Sequence, residues 1–283
     1  MGKVVITADS TCDLSSDLVE KYGIVVVPLY VITGETEHRD GVDITPNGLF
    51  EYVRQTGVLP KTAACTVEDY TRVWKPYLDE GASIVHLNIS SEFSSCYQNA
   101  VTAAQALKNV YPVDSRNLST GIGLLVLDAA EMAAQGMDAK EIFDTLEQKK
   151  QRLNVSFVID TMEYLAKGGR CSSVVALAAG LLRLKPCISV NEGRMGVSKK
   201  YRGKLRDVLM LYVHERLKAA GEVELKRIFI TDSGVSEDIV REVREAILKE
   251  APFSEILHTN AGCTVCSHCG PGTLGILFYE AEK

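Results

Sequence analysis

The chain reads as an α/β protein with a mostly parallel sheet in its first half and a second α/β unit in its last part. Three observations predict this. Short apolar runs rich in Val and Ile alternate with amphipathic stretches of helix length. Capping residues stand where the helices should begin: Thr45 before Pro46, and Thr66 three residues before Asp69. After about residue 155 the texture changes to longer strands, one hairpin signal and two long amphipathic helices.

In order, VVITA is a buried strand and SSDLVEKYG a helix closed by Gly23. IVVVPLYVI is read as a second strand. Helices follow over NGLFEYVRQTG and EDYTRVWKPYLDEG, then the strand SIVHLNI and the helix YQNAVTAAQALK. VYPVD and GIGLLVLDAAEMAAQG complete the βαβα rhythm. The second unit contributes strands at SFVID, PCISVNEGRMGVSKKYR, RIFITD and GILFYEA, with NEGR as a hairpin turn. Its helices are KLRDVLMLYVHERLKAAG and EDIVREVREAILKEA. The expected domains are 1–155, a three-layer α/β/α unit, and 156–283, a second α/β sandwich, with a soft boundary and the ligand site between them.

Composition excludes several classes. Of the 283 residues, 46% are hydrophobic and 24% charged, an ordinary globular balance. A net charge of −6 argues against a general nucleic-acid binder. No apolar run reaches the roughly 18–20 residues of a membrane span, and MGKVVITADS reads as a strand rather than a signal peptide. The expected location is cytoplasmic, where the eight cysteines would stay reduced.

The densest chemistry lies in GCTVCSHCGPGTLG, 262–275. Cys263, Cys266 and Cys269 recur every third residue, but structural zinc usually takes two separated pairs. If 262–268 is extended, Cys266 faces away from the other two. Only a loop could aim all three at one ion, so no metal site is assigned and a metal or redox role remains an alternative. GPGTLG fits G-x-G-x-x-G but precedes a strand, the wrong context for a dinucleotide. His268 is the stronger candidate, placed in a short polar turn between apolar strands.

Ser94 and Ser95 follow SIVHLNI at a helix start, where hydroxyls and free N–H groups favour an anion or serve as caps. Thr62 precedes another helix in the same way. Lys167 and Arg170 flank a Gly-Gly turn. Arg194, Lys199, Lys200, Arg202, Lys204 and Arg206 form a basic run with no acidic residue, either a solvated hairpin or a docking surface. No G-x-S-x-G, Walker A or H-E-x-x-H motif occurs. A Ser94–His268 nucleophile and base would make an acyl hydrolase, the alternative to a binding protein.

Several segments together resemble the DegV family of fatty-acid-binding proteins: ITADSTCDL, PKTAACTVEDY, ISSEFSSCYQNA, VDSRNLSTGIGLLV, YLAKGGRCS, LKPCISVNEGRM and SHCGPGTLGILF. They run in order over nearly the whole chain. The resemblance implies a two-domain fold holding one long-chain fatty acid such as palmitate, its tail in an apolar tunnel and its carboxylate in a polar pocket. It implies no catalysis by this chain alone and no cofactor. It implies a fatty acid kinase subunit as partner, which phosphorylates the bound acid to acyl phosphate for phospholipid synthesis. The carboxylate contacts it implies are Thr62, Ser94 and His268, with Ser95 adjacent and Arg170 in the Gly-Gly-Arg motif. Arg202 corresponds to the kinase-docking region. The chain departs from the family pattern at Ala63-Ala64-Cys65 and at Ser95-Cys96. The apolar segment 174–184 is the expected tunnel wall, with plain core packing as the alternative.

Overall fold

In the computed structural model, which describes residues 2–174 and 184–282, two large sheets share one helix layer. The first sheet has the order β2-β1-β6-β7 and is parallel throughout: β1 (Val4–Asp9), β2 (Val25–Val27), β6 (Ser83–Asn88) and β7 (Val110–Asp114). Helices α3 (Val67–Asp79) and α4 (Cys96–Gln105) cover one face. Helices α5 (Thr120–Ala134) and α6 (Ala139–Lys149) cover the other.

The second sheet runs β10-β9-β8-β13-β11-β12. Its strands are β8 (Leu153–Val158), β9 (Leu184–Asn191), β10 (Arg194–Arg202), β11 (Val223–Ser233), β12 (Glu255–Asn260) and β13 (Thr273–Glu280). All neighbours are antiparallel except β11 and β12. Helices α8 (Leu205–Ala220) and α9 (Glu237–Glu250) pack on it. The opposite face meets α5, which explains that helix's composition. Every residue from Thr120 to Ala130 is buried, because the helix lies between two sheets and has no solvent face.

The predicted caps form. The Thr45 side chain accepts from the Gly48 N–H, Pro46 sits at the first turn of α2 (Pro46–Thr56), and Gly23 closes α1 (Ser16–Tyr22) at φ 62°. Thr66 and Asp69 make a reciprocal capping box. The NEGR turn has Glu192 and Gly193 at positive φ, as a tight hairpin requires.

Two expectations fail. IVVVPLYVI is not one strand. Pro28 cannot donate to a ladder, and the chain leaves the first sheet there to build a small antiparallel sheet, β4-β3-β5. Its strands are β3 (Tyr30–Thr33), β4 (Thr36–Arg39) and β5 (Lys61–Ala63). Nor does a turn between strands carry His268: Cys263–Cys269 is a short helix, α10. Period-three spacing suits a helix as well as a turn, and Gly262 and Gly270 bracket it. Most of the segment proposed as the tunnel wall, 175–183, lies outside the described residues.

Candidate functional site

A cavity of about 230 Å³ opens where the small sheet, the first sheet's loops and the second sheet meet. Its apolar wall includes Leu29, Phe93, Leu118, Phe157, Met195 and Val265. An inner chamber of about 30 Å³ adjoins it, sharing Leu118, Phe157, Val265 and Cys269 as a neck. The polar groups in the outer cavity are those the sequence singled out. Thr62, Ser94, Ser95, Arg170 and His268 all line it.

They arrive from separate parts of the chain, Ser94 and Ser95 together. Thr62 stands on β5, paired with Val31 of β3. Ser94 follows β6, and its N–H donates to the Ser90 carbonyl at 3.2 Å. Its Oγ accepts from the Cys96 N–H at 3.3 Å and donates to Cys96 Sγ at 3.2 Å, so it helps to cap α4. Ser95 is the N-cap residue of that helix. Helix α7 (Glu163–Gly168) leads to Arg170, which is exposed and donates to the Gly168 carbonyl at 2.8 Å.

His268 occupies the last turn of α10 rather than a turn between strands. Its Nε2 lies 2.9 Å from Thr62 Oγ1, while its Nδ1 is buried with no partner. Burial first, and the Arg170 charge second, lower its pKa to about 4, so the ring is neutral at pH 7. Placing its proton on Nε2 leaves a bare acceptor at Nδ1; the other tautomer would bury an orphan N–H, the rarer defect. The Nε2–H then donates to Thr62, whose own hydroxyl hydrogen is free for a ligand. Gly168 makes this seat possible, because a Cβ there would stand 2.5 Å from Nδ1.

Ser94 and His268 share a cavity wall without a hydrogen bond joining them: Ser94 turns to Cys96 and His268 to Thr62. A nucleophile and its base need contact of about 2.6–3.2 Å. The hydrolase alternative therefore gains no support.

The cysteine array divides. All eight cysteines are buried and free. Cys263 turns its thiol to the Ile44 carbonyl, and Cys266 turns to the Ala261 carbonyl. The Cys266 thiol is raised well above its ordinary value by its contact with Cys269 and then by burial. Among the described residues, the one group of metal-type side chains that converges is elsewhere: Asp9, Cys65 and Cys96, with ligand atoms within 4.8 Å of one another. Both Asp9 oxygens already accept from Tyr70, His86, Asn88 and the Ile89 N–H.

The basic run is half neutralised. Arg194 pairs with Glu92, Lys199 with Glu215 and Arg206 with Glu242. Arg202 ends β10, is exposed and does not line the cavity. GPGTLG leads into β13, not a helix. Sequence reasoning missed the cavity walls Phe157 and Met195, which come from distant strands. It also missed Asp13 and Asp40, buried beneath α10. A carboxylate inside a polar segment gives no pattern from which such burial could be read.

Fold and cavity together define an α/β protein of two large sheets and one small one, with a chamber where they meet that is polar at the mouth and apolar within. The chain belongs to the DegV family: the family model, described as an uncharacterised protein family, matches residues 3–281. A DegV domain-containing protein of Caldanaerobacter subterraneus is 31% identical, over 99% of this chain and all of its own. A fatty acid-binding protein of Thermotoga maritima is 29% identical, with 99% of each chain covered. The solved structure of a fatty-acid-binding DegV family protein from Thermus thermophilus superposes with a TM-score of 0.91 at 33% identity. That match covers 99% of this chain and 100% of the other. Among the described residues, no helix is long and apolar enough to cross a membrane.

Proposed function

We propose that this chain binds a long-chain fatty acid and acts as the cytoplasmic carrier subunit of a fatty acid kinase, without catalysis of its own. The observation that carries this reading is the cavity's polarity: two hydroxyls and a neutral imidazole at the mouth of an apolar chamber. Relatives of the same fold bind fatty acids. In this reading 1–155 and 156–283 are the two domains and the ligand lies between them.

The head group meets Thr62 and Ser94 hydroxyls and the Ser95 N–H at the start of α4. The Thr62 hydroxyl is oriented by His268. Burying a carboxylate costs several kcal/mol unless donors satisfy it, and hydrogen bonds to a charged group return about 1.5–3 kcal/mol each. Arg170, at the rim, adds long-range attraction. The tail contributes about 0.8 kcal/mol per buried CH₂. The outer cavity, about 230 Å³, is below the roughly 300–1,000 Å³ of common ligand sites. A long tail therefore needs the neck to part and join the inner chamber. Arg202 would serve the kinase, which takes the presented carboxylate to acyl phosphate.

Mass spectrometry of lipid extracted from the purified chain tests this. A long-chain fatty acid bound to the chain is expected. Absence of any co-purifying or exchangeable fatty acid would end the reading.

A further inference from the structure

His268 depends on a helix too short to hold itself. Helix α10 has seven residues, well below the length at which a helix persists alone. Its first N–H groups need acceptors, and Gly262 at its N-cap has no side chain to supply one. Two buried carboxylates from the first forty residues supply them instead. Asp13 accepts from the Gly262 N–H at 2.9 Å. Asp40 accepts from the Cys263 and Thr264 N–H groups at 2.8 and 3.2 Å.

Each carboxylate is anchored in turn. The Ser119 hydroxyl donates to Asp13 at 2.6 Å, and the Ser10 hydroxyl donates to Asp40 at 3.0 Å. Asp13 and Asp40 are 5% and 3% exposed, so neither is an incidental surface cap. Gly262 is shaped for the contact: a Cβ there would lie 3.0 Å from Asp13 Oδ1 and 3.4 Å from both Asp40 oxygens. The far end of the same helix carries His268 against Thr62 and Gly168. Val265 and Cys269, between cavity and inner chamber, ride on it as well.

We propose that Asp13 and Asp40 are positioning residues for His268, clasping the start of α10 so that its last turn presents the imidazole to Thr62. Neither touches the cavity. They act through the helix, and they tie its register to the segment after β1 of the first sheet and the end of β4 in the small sheet. Loss of the clasp lets the helix turn or fray, and His268 leaves its buried seat.

The test is a ¹⁵N NMR titration of the His268 imidazole in the full-length chain, beside fatty acid affinity. Burial and the Arg170 charge push the native His268 down to about 4, where its midpoint is expected. Asp40→Asn keeps one acceptor oxygen and loses the paired one. Its His268 midpoint should rise by at least about one pH unit toward the exposed value, and its affinity for palmitate should fall about tenfold. Burial pushes the Asp13 carboxyl up to about 8, so Asp13→Asn, close in shape and charge to the protonated acid, should move both the same way by less. Ile247→Val, destabilising but remote, should leave the His268 midpoint alone, which separates positioning from general loss of stability. If Asp40→Asn does not fold, Gly262→Ala crowds the same carboxylates and should give the same shift. A folded Asp40→Asn or Gly262→Ala chain with an unchanged His268 midpoint overturns the proposal. The affinity arm rests on the fatty-acid reading, whereas the titration does not, so the two can fail separately.

Discussion

Two histidines, His86 buried and His268 half-buried, stand in contrasting surroundings. His86, on β6, has both ring nitrogens engaged, with Thr7 at 2.7 Å and Asp9 at 3.2 Å. Tyr70 and Trp74 pack on its ring, and Asp9 also takes Tyr70, Asn88 and a backbone N–H. That network closes around the ring, with Asn88 Oδ1 left unpartnered at its margin. His268 has one partner, a bare Nδ1 and a cavity beside it. A polar network that engages both ring nitrogens specifies a core, whereas His268, bonded only to Thr62 at a cavity wall, leaves the Thr62 hydroxyl hydrogen free for a ligand. Residue type did not separate them, since each has a histidine, a threonine and nearby cysteines.

Breaking the closed network should cost most. Asp9→Ala strands buried donors on Tyr70, His86, Asn88 and Ile89 and should lower stability by about 3–5 kcal/mol in urea unfolding. A loss below about 1 kcal/mol would deny that the network is a structural unit. His268→Ala should do the reverse. Stability should move little, while fatty acid affinity falls about 10- to 100-fold, the worth of one hydrogen bond to a charged group. Gly168→Ala is subtler, because its methyl would occupy the seat of Nδ1. About tenfold weaker binding with the fold intact is expected by calorimetry.

The smallest effect is one of pH. The folded pKa of His268, about 4, lies below its ordinary 6.5, so the unfolded chain binds the extra proton first. Its contribution to stability is full above pH 6.5 and is lost as pH falls toward 4. Relative to His268→Gln, the native chain should lose about 1 kcal/mol between about pH 7 and pH 5.5.

Much of this was legible in the sequence. The first sheet's strands and caps were, because period and capping are local. The site residues were nominated by strand-end and helix-start positions and by the family resemblance. What was not legible is what long-range contact decides. Pro28 sends one apolar run into two sheets. Helix α10 stands where a turn was expected, its start held by Asp13 and Asp40 from distant segments. Cys65 and Cys96 converge from separate segments, while the conspicuous cysteine triplet does not. The cavity walls Phe157 and Met195 come from strands of the second sheet, far along the chain from Thr62, which no periodicity reveals.

The most direct test of the central claim compares palmitic acid with its methyl ester by equilibrium titration, in the native chain and in His268→Gln. The ester keeps the tail and removes the charge. If the Thr62–Ser94–His268 mouth reads a carboxylate, the acid should bind at least about tenfold tighter than the ester in the native chain. That preference should shrink toward equality in the variant. Equal affinity for acid and ester in the native chain, or a preference untouched by His268→Gln, would contradict the account.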